Sequence, residues 1–501
     1  MNAPQANLLR VLGPWMATAI VVGTVIGSGV FKKARNVSEN VPEFGLAMSV
    51  WVLGGILALL GAFALAEVAV LFPRAGGNYV FLREAYGRMA GFLWGWVEFW
   101  IIRSASIAAL ASMFAESFHD FLKGALHPGE AVEVLGFWPR QLLTVCVILA
   151  LAAVNIRGTR LGGGLQVAVT AVKVASLMLL VALPFAVLAV VSEPTHRPSV
   201  ANLSPTWPAA WLGVEWDKFG AALVAVLWAY HGWMNIGPVA GEVIRPNRNI
   251  PLALFAGIVV IITLYCGANL GYYLVIPRDE MMGLKDTTVA TEFCLRLLGP
   301  AGGMLASAII MTSVFGSLNG NLLVGPRVLF AMGNDALAPR VLNRLHPRFG
   351  TPAFATFALA AWACLLVFGL GALLQSDWGL FDTGKIGADG KPIQKSPFDV
   401  VTDFAIFGSV VFETLAVASV FIFRRLIPPT AENRPYRCWG YPVVPALYVL
   451  IMVAVLGNMF YNREQRSEAT IGMVFIGIGA LVYWMAYRGT ATARIVMRTP
   501  P

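Results

Sequence analysis

Gly23-Thr24-Val25-Ile26-Gly27-Ser28-Gly29-Val30-Phe31 closes an apolar stretch that opens at Val11 and is long enough to cross a bilayer. Lipid offers no partner to a backbone N–H or C=O. Glycine-loosened backbone at this depth is therefore tolerated only against protein or a watery cavity. Gly27-Ser28-Gly29 reads as a break in the first span and as a candidate binding site. The half-helix before the break leaves C=O groups free. The half-helix after it leaves N–H groups and the positive end of its dipole free to hold a carboxylate.

The rest of the chain fits the same setting. Of 501 residues, 58% are hydrophobic and only 13% charged, which marks an integral membrane protein. Apolar runs begin near Val11, Gly45, Ala90, Gln141, Gly163, Phe219, Leu252, Gly299, Pro352, Phe398, Pro442 and Ala469, which predicts about twelve spans. The polar start lacks a cleavage site and many spans follow, so no removable signal peptide is expected. The net charge of +9 reports topology rather than a nucleic-acid partner. Arginines gather in alternate loops, among them Arg74, Arg83, Arg157, Arg245, Arg340 and Arg424, which supports a multi-pass protein of the cell membrane with both termini cytoplasmic.

Catalytic and metal chemistry have no signature. The five cysteines form neither a disulfide framework nor a metal-ligand spacing, and His231 is the histidine expected inside a span. No Gly-x-x-x-x-Gly-Lys-Ser/Thr phosphate loop is present, which speaks against an ATP-driven pump in this chain. The polar groups at membrane depth form no evident nucleophile-base pair, so no enzyme, no cofactor and no metal site is expected.

A second break lies five spans after the first. Trp228-Ala229-Tyr230-His231-Gly232-Trp233-Met234-Asn235-Ile236-Gly237-Pro238 interrupts the sixth span with polar, glycine and proline residues. Small residues in one span often serve only close helix packing. A matched pair of interrupted spans instead points to an inverted repeat with a transporter's central site between the breaks.

The first span's residues 23–31 resemble the signature of the amino acid–polyamine–organocation (APC) superfamily, and further segments agree in order. They are Phe72-Pro73-Arg74-Ala75-Gly76-Gly77-Asn78-Tyr79, Asn155-Ile156-Arg157-Gly158, Gly241-Glu242-Val243-Ile244-Arg245-Pro246, Phe315-Gly316-Ser317-Leu318-Asn319-Gly320 and Gly440-Tyr441-Pro442. The resemblance covers nearly the whole chain and is greatest to L-type amino acid transporters and their prokaryotic relatives. It implies an all-α membrane protein of the APC (LeuT-like) fold, a 5+5 inverted repeat with discontinuous helices 1 and 6 plus two extra helices. Residues 1–10 would be a cytoplasmic N-terminus, 11–192 and 218–424 the two repeats, and 193–217 an extracytoplasmic loop. Residues 425–441 would be a cytoplasmic loop, 442–488 helices 11 and 12, and 489–501 a cytoplasmic tail.

The resemblance also implies a site. A substrate carboxylate would meet backbone N–H groups of Ser28, Gly29 and Val30, and its ammonium the carbonyls near Val25, Ile26, Trp228, Ala229 and His231. Trp228, His231 and Met234, with residues of spans three, eight and ten, would line the side-chain pocket. Many relatives carry a phenylalanine gate at the place of Trp228, which marks Trp228 as a gating residue, and often glycine and asparagine at those of His231 and Met234, so the bulk of His231 points to small or medium neutral substrates. Lys173, deep in span five, matches the lysine of sodium-independent carriers, whose ammonium lies where a sodium ion sits in sodium-coupled relatives. An intramembrane charge is costly and is a functional hypothesis by default.

Other charges stay open between function and structure. Arg103 is expected to pair with a carboxylate rather than carry protons. Glu98, Asp403 and Glu413 are candidate partners or, for Glu413, a proton carrier; Glu242 reads as a cytoplasmic gate or a helix-end ion pair. Residues 376–397 read as an exposed polar loop, and 193–218 as a segment over the outer mouth. The leading function is amino acid transport by alternating access, sodium-independent exchange or proton-coupled symport. A non-transporting amino acid sensor of the same fold is the alternative. No cysteine lies in residues 119–139, where the resemblance places the link of eukaryotic relatives to a heavy subunit, so no disulfide-linked partner is expected.

Overall fold

The computed structural model describes residues 8–127, 132–190, 197–284, 287–374, 382–386, 392–394, 397–427, 435–462 and 465–487. Among them, ten helices are long and apolar enough to cross a membrane. The bent pair Pro14–Val25 and Gly29–Asn40 makes an eleventh span, and Ala353–Leu374 supplies the remaining one expected from the sequence. Proline occupies the first turn of Pro14–Val25, Pro246–Val275 and Pro300–Asn334, where its missing N–H costs nothing.

Two groups of spans organise the molecule. Both halves of span one, span two (Phe44–Leu71), the first part of span six (Trp216–Tyr230) and span seven (Pro246–Val275) pack on one another. Span eight (Pro300–Asn334) packs against span three (Arg88–Leu126), span four (Phe137–Ile156), span five (Thr159–Val190) and span nine (Ala353–Leu374). Spans eleven (Val443–Tyr461) and twelve (Arg466–Tyr487) lie against span ten (Pro397–Leu426). Span twelve exposes Ile471, Val474, Ile478, Leu481 and Met485. Their three- and four-residue spacing makes one apolar stripe, as expected of a helix whose outer side is solvated by lipid.

Three details differ from the sequence reading. The polar insert before span ten carries a short antiparallel ribbon, Asp382–Ile386 paired with Pro392–Gln394, rather than loop alone. Span three runs on to Leu126, so His119 also lies within a helix, where its Nδ1 accepts the Leu135 N–H at 3.0 Å. Span three is also interrupted, because Glu98–Arg103 forms a π-helical turn. The segment before span six does lie on the helix ends. Pro205 and Thr206 carbonyls accept the N–H groups of Phe44 and Gly45, and the Ser199 N–H reaches Leu274 O.

Candidate functional site

The first break is a sharp local event. Pro14–Val25 ends, Ile26 turns extended at φ −70° and ψ 90°, and a new helix starts at Gly29 after a bend of 40°. Span six breaks just as locally: Tyr230 ends the helix, His231 is extended, and Gly232 sits at φ 112° in the left-handed region that favours glycine. The breaks touch. Thr24 Oγ1 lies 3.1 Å from Gly232 O, and the Tyr265 hydroxyl lies 3.0 Å from Val25 O and 3.1 Å from Ala229 O.

Carbonyls freed by the first break meet a built cluster of donors. Lys173 Nζ donates to Gly23 O and Ile26 O, both at 2.7 Å, and to Ser317 Oγ at 2.9 Å. Three acceptors match the three N–H bonds of an ammonium. Ser313 Oγ reaches Gly27 O at 3.0 Å, and Ser317 Oγ reaches Ile26 O at 2.8 Å. Span five and span eight thus hold the broken end of span one between them. Lys173 is 1% exposed, so snorkelling to the interface does not describe it.

Between the breaks lies a cavity of about 40 Å³, room for roughly three waters. Of the residues expected at the site it brings together Val25, Ser28, Gly29, Trp228, Ala229 and His231. It does not bring in three others. Ile26 turns its carbonyl to Lys173 and Ser317, Val30 is fully buried in the apolar core, and Met234 Sδ accepts from Asn78 Nδ2 at 3.0 Å. Ser106 and Leu110 of span three, Ser317 and Asn321 of span eight, and Asn235 complete the polar and apolar lining. Asn235 stands in the same interrupted run of polar residues that exposed His231, so its position was legible without its partner.

Ionisable side chains stand near this cavity in pairs. His231 Nδ1 lies 2.9 Å from Glu413 Oε1 of span ten, and the His231 ring stands parallel to Trp228, 5.8 Å away. Arg103 Nε donates to Glu98 Oε1 at 2.8 Å, the carboxylate pairing expected of it. The Asp403 side chain lies outside the described residues. Among the described residues, no group of three or more His, Cys, Asp or Glu could hold a metal ion.

Glu242 belongs to a second, separate cluster at the end of span six. Its Oε1 accepts Arg327 Nε at 2.8 Å and its Oε2 accepts Thr159 Oγ1 at 2.8 Å, with Arg327 fully buried. Backbone joins in: Glu242 O accepts the N–H groups of Val11 and Leu12 at 2.9 Å each. The latch ties span six to span five, span eight and the chain's start. Thr159 Oγ1 also accepts Arg327 Nη2 at 2.8 Å, and losing a hydrogen bond to a charged group costs about 2 kcal/mol. Thr159→Val is therefore expected to lower the thermal unfolding midpoint of the detergent-purified protein by a few degrees. An unchanged midpoint would show that Thr159 adds nothing to the latch.

Sequence reasoning did not single out Arg327 or Glu67. Glu67 in span two is 2% exposed and accepts Arg424 Nη2 at 2.7 Å and the Cys438 N–H at 2.7 Å, while Arg424 stacks 3.7 Å above the Tyr441 ring. Both residues are charges inside apolar runs, the signal that had found Lys173.

A family model described as amino acid permease matches residues 12–484. The chain is 30% identical over 490 residues to the serine/threonine exchanger SteT of Bacillus subtilis, covering 97% of this chain and 98% of that protein. It is 29% identical to the human b(0,+)-type amino acid transporter 1 over 348 residues, 69% of this chain and 67% of that protein. The mouse large neutral amino acids transporter small subunit 2 is 30% identical over 348 residues, 69% of this chain and 62% of that protein.

Proposed function

The chain belongs to the amino acid permease family, and from that premise we propose that it exchanges small neutral amino acids across the cell membrane without sodium. The observation that carries the sodium independence is Lys173. Its ammonium occupies the carbonyl cluster at the break of span one, between Gly23 O and Ile26 O, where a cation would otherwise brace the same oxygens. The small cavity and the bulk of His231 support a small substrate. Exchange is supported by the likeness to a relative named as an exchanger.

Two five-span repeats, residues 11–192 and 218–424, would carry the alternating access, with both termini in the cytoplasm. No disulfide-linked subunit is proposed, because no cysteine lies in residues 119–139, where the resemblance places that link.

A second reading rests on the His231–Glu413 pair. A titratable pair against the cavity is suited to carry a proton with the substrate. One experiment separates the readings: uptake of labelled amino acid into proteoliposomes with sodium replaced by choline, with and without internal amino acid, and with a pH gradient. Uptake that needs internal amino acid is the expected result. Uptake driven by the pH gradient alone would favour symport, a strict sodium requirement would overturn the role of Lys173, and binding without flux would identify a sensor.

A further inference from the structure

Arg103 closes the π-helical turn Glu98–Arg103, a distortion found frequently at functional sites. Its guanidinium is 5% exposed and reaches two amide side chains as well as Glu98. Nη1 donates to Asn321 Oδ1 at 2.6 Å, and Nη2 donates to Asn235 Oδ1 at 2.9 Å. A guanidinium has donors only. Both amides must therefore turn oxygen toward Arg103, which removes their two-fold ambiguity.

What remains of each amide is its NH2 group. Asn321 spends its own on Ser317 O at 2.8 Å. Asn235 has no such partner among the described residues, and its Nδ2 stands beside Gly232, where an added Cβ would come within 3.3 Å of it. Gly232 and Asn235 both line the cavity between the breaks. Arg103 thus fixes one amide so that an unspent donor borders the substrate space.

We infer that Asn235 is a specificity-determining residue, with Arg103 as its positioning residue. Together they select amino acids whose short side chain carries an acceptor oxygen, a hydroxyl or a carboxamide, over hydrocarbon isosteres. The inference rests on the reading of this cavity as an amino acid site. A hydrocarbon side chain would cover the Asn235 donor without satisfying it, and an enclosed donor left unpaired weakens binding. One neutral hydrogen bond corresponds to a preference of roughly tenfold.

The test is competition by threonine and by its isostere valine against labelled amino acid bound to the purified protein. Wild type should prefer threonine about tenfold. Asn235→Leu, close to isosteric, should bring the ratio near one. Asn235→Ala removes the same donor without adding bulk and serves if the leucine variant aggregates. Arg103→Lys should also lower the ratio, because a point-like ammonium cannot hold both amides in one orientation. A wild-type ratio of one or less, or an unchanged ratio in Asn235→Ala, would overturn the inference alone. Binding of no amino acid by wild type would overturn it together with the proposed function.

Discussion

Lys173→Met is expected to slow initial amino acid uptake into proteoliposomes by at least about a hundredfold. Methionine keeps the length and apolar stem of lysine but offers no donor to Gly23 O, Ile26 O or Ser317 Oγ, which the ammonium meets at 2.7–2.9 Å. A hydrogen bond from a charged group contributes about 1.5–3 kcal/mol, so losing two or three of them removes at least the roughly 2.8 kcal/mol that a hundredfold effect requires. The serine hydroxyls of Ser313 and Ser317 still reach Ile26 O and Gly27 O, so the break stays hydrogen-bonded. What it loses is its cation. The variant should therefore remain folded and show its defect in turnover. Arginine is a poor substitute here, because the site leaves little room: a Cβ at Gly316 would come within 2.7 Å of Lys173 Cε. Uptake by Lys173→Met at the wild-type rate would show that the cation is not needed.

Gly29→Val is expected to abolish detectable substrate binding. A Cβ placed at Gly29 would come within 2.6 Å of Ala229 Cα and 2.7 Å of Ala229 Cβ. Those atoms belong to backbone and to a side chain with no freedom to turn aside, so the two breaks must move apart. Valine adds two further carbons and a stiff χ1. The geometry assigns the damage to the spacing between Gly29 and Ala229, both of which line the cavity. Gly164→Ala is the control, since a Cβ there meets nothing within 4 Å. It should bind substrate like wild type. Equal affinity in Gly29→Val, with size-exclusion profile and helical circular dichroism unchanged in both variants, would remove the site from the breaks.

Much of the architecture was legible in the sequence because membrane helices declare themselves locally. Apolar run lengths located the spans, and Gly27-Ser28-Gly29 and His231-Gly232 located both breaks, since backbone that cannot stay helical in lipid must have glycine, proline or polar residues to permit it. The cost of an intramembrane charge singled out Lys173, Arg103, Glu242 and Glu413. The same rule applied to Glu67 and Arg327 would have found the remaining ionic ties. The ribbon at Asp382–Ile386 and Pro392–Gln394 was less legible, because its strands are short and polar and resemble loop.

Sequence alone therefore determined which residues had to be unusual: the glycines that break spans one and six, and the charges that lipid would not tolerate unpaired. It could not determine which of them would meet. By its sequence Arg103 was free to pair with any carboxylate at its depth, yet a π-helical turn aims it at Glu98, Asn235 and Asn321. His231 and Glu413 come from spans four apart in the chain, as Glu242 and Arg327 come from spans six and eight. Nor could a broken helix announce its phase. Ile26, Val30 and Met234 turn away from the cavity while Asn235 borders it, because the helical rotation that places side chains is lost at a break and is set again by what packs beside it. Backbone chemistry is local and can be read along the chain, whereas the direction of a side chain beyond a break is a property of the neighbouring helices that hold it.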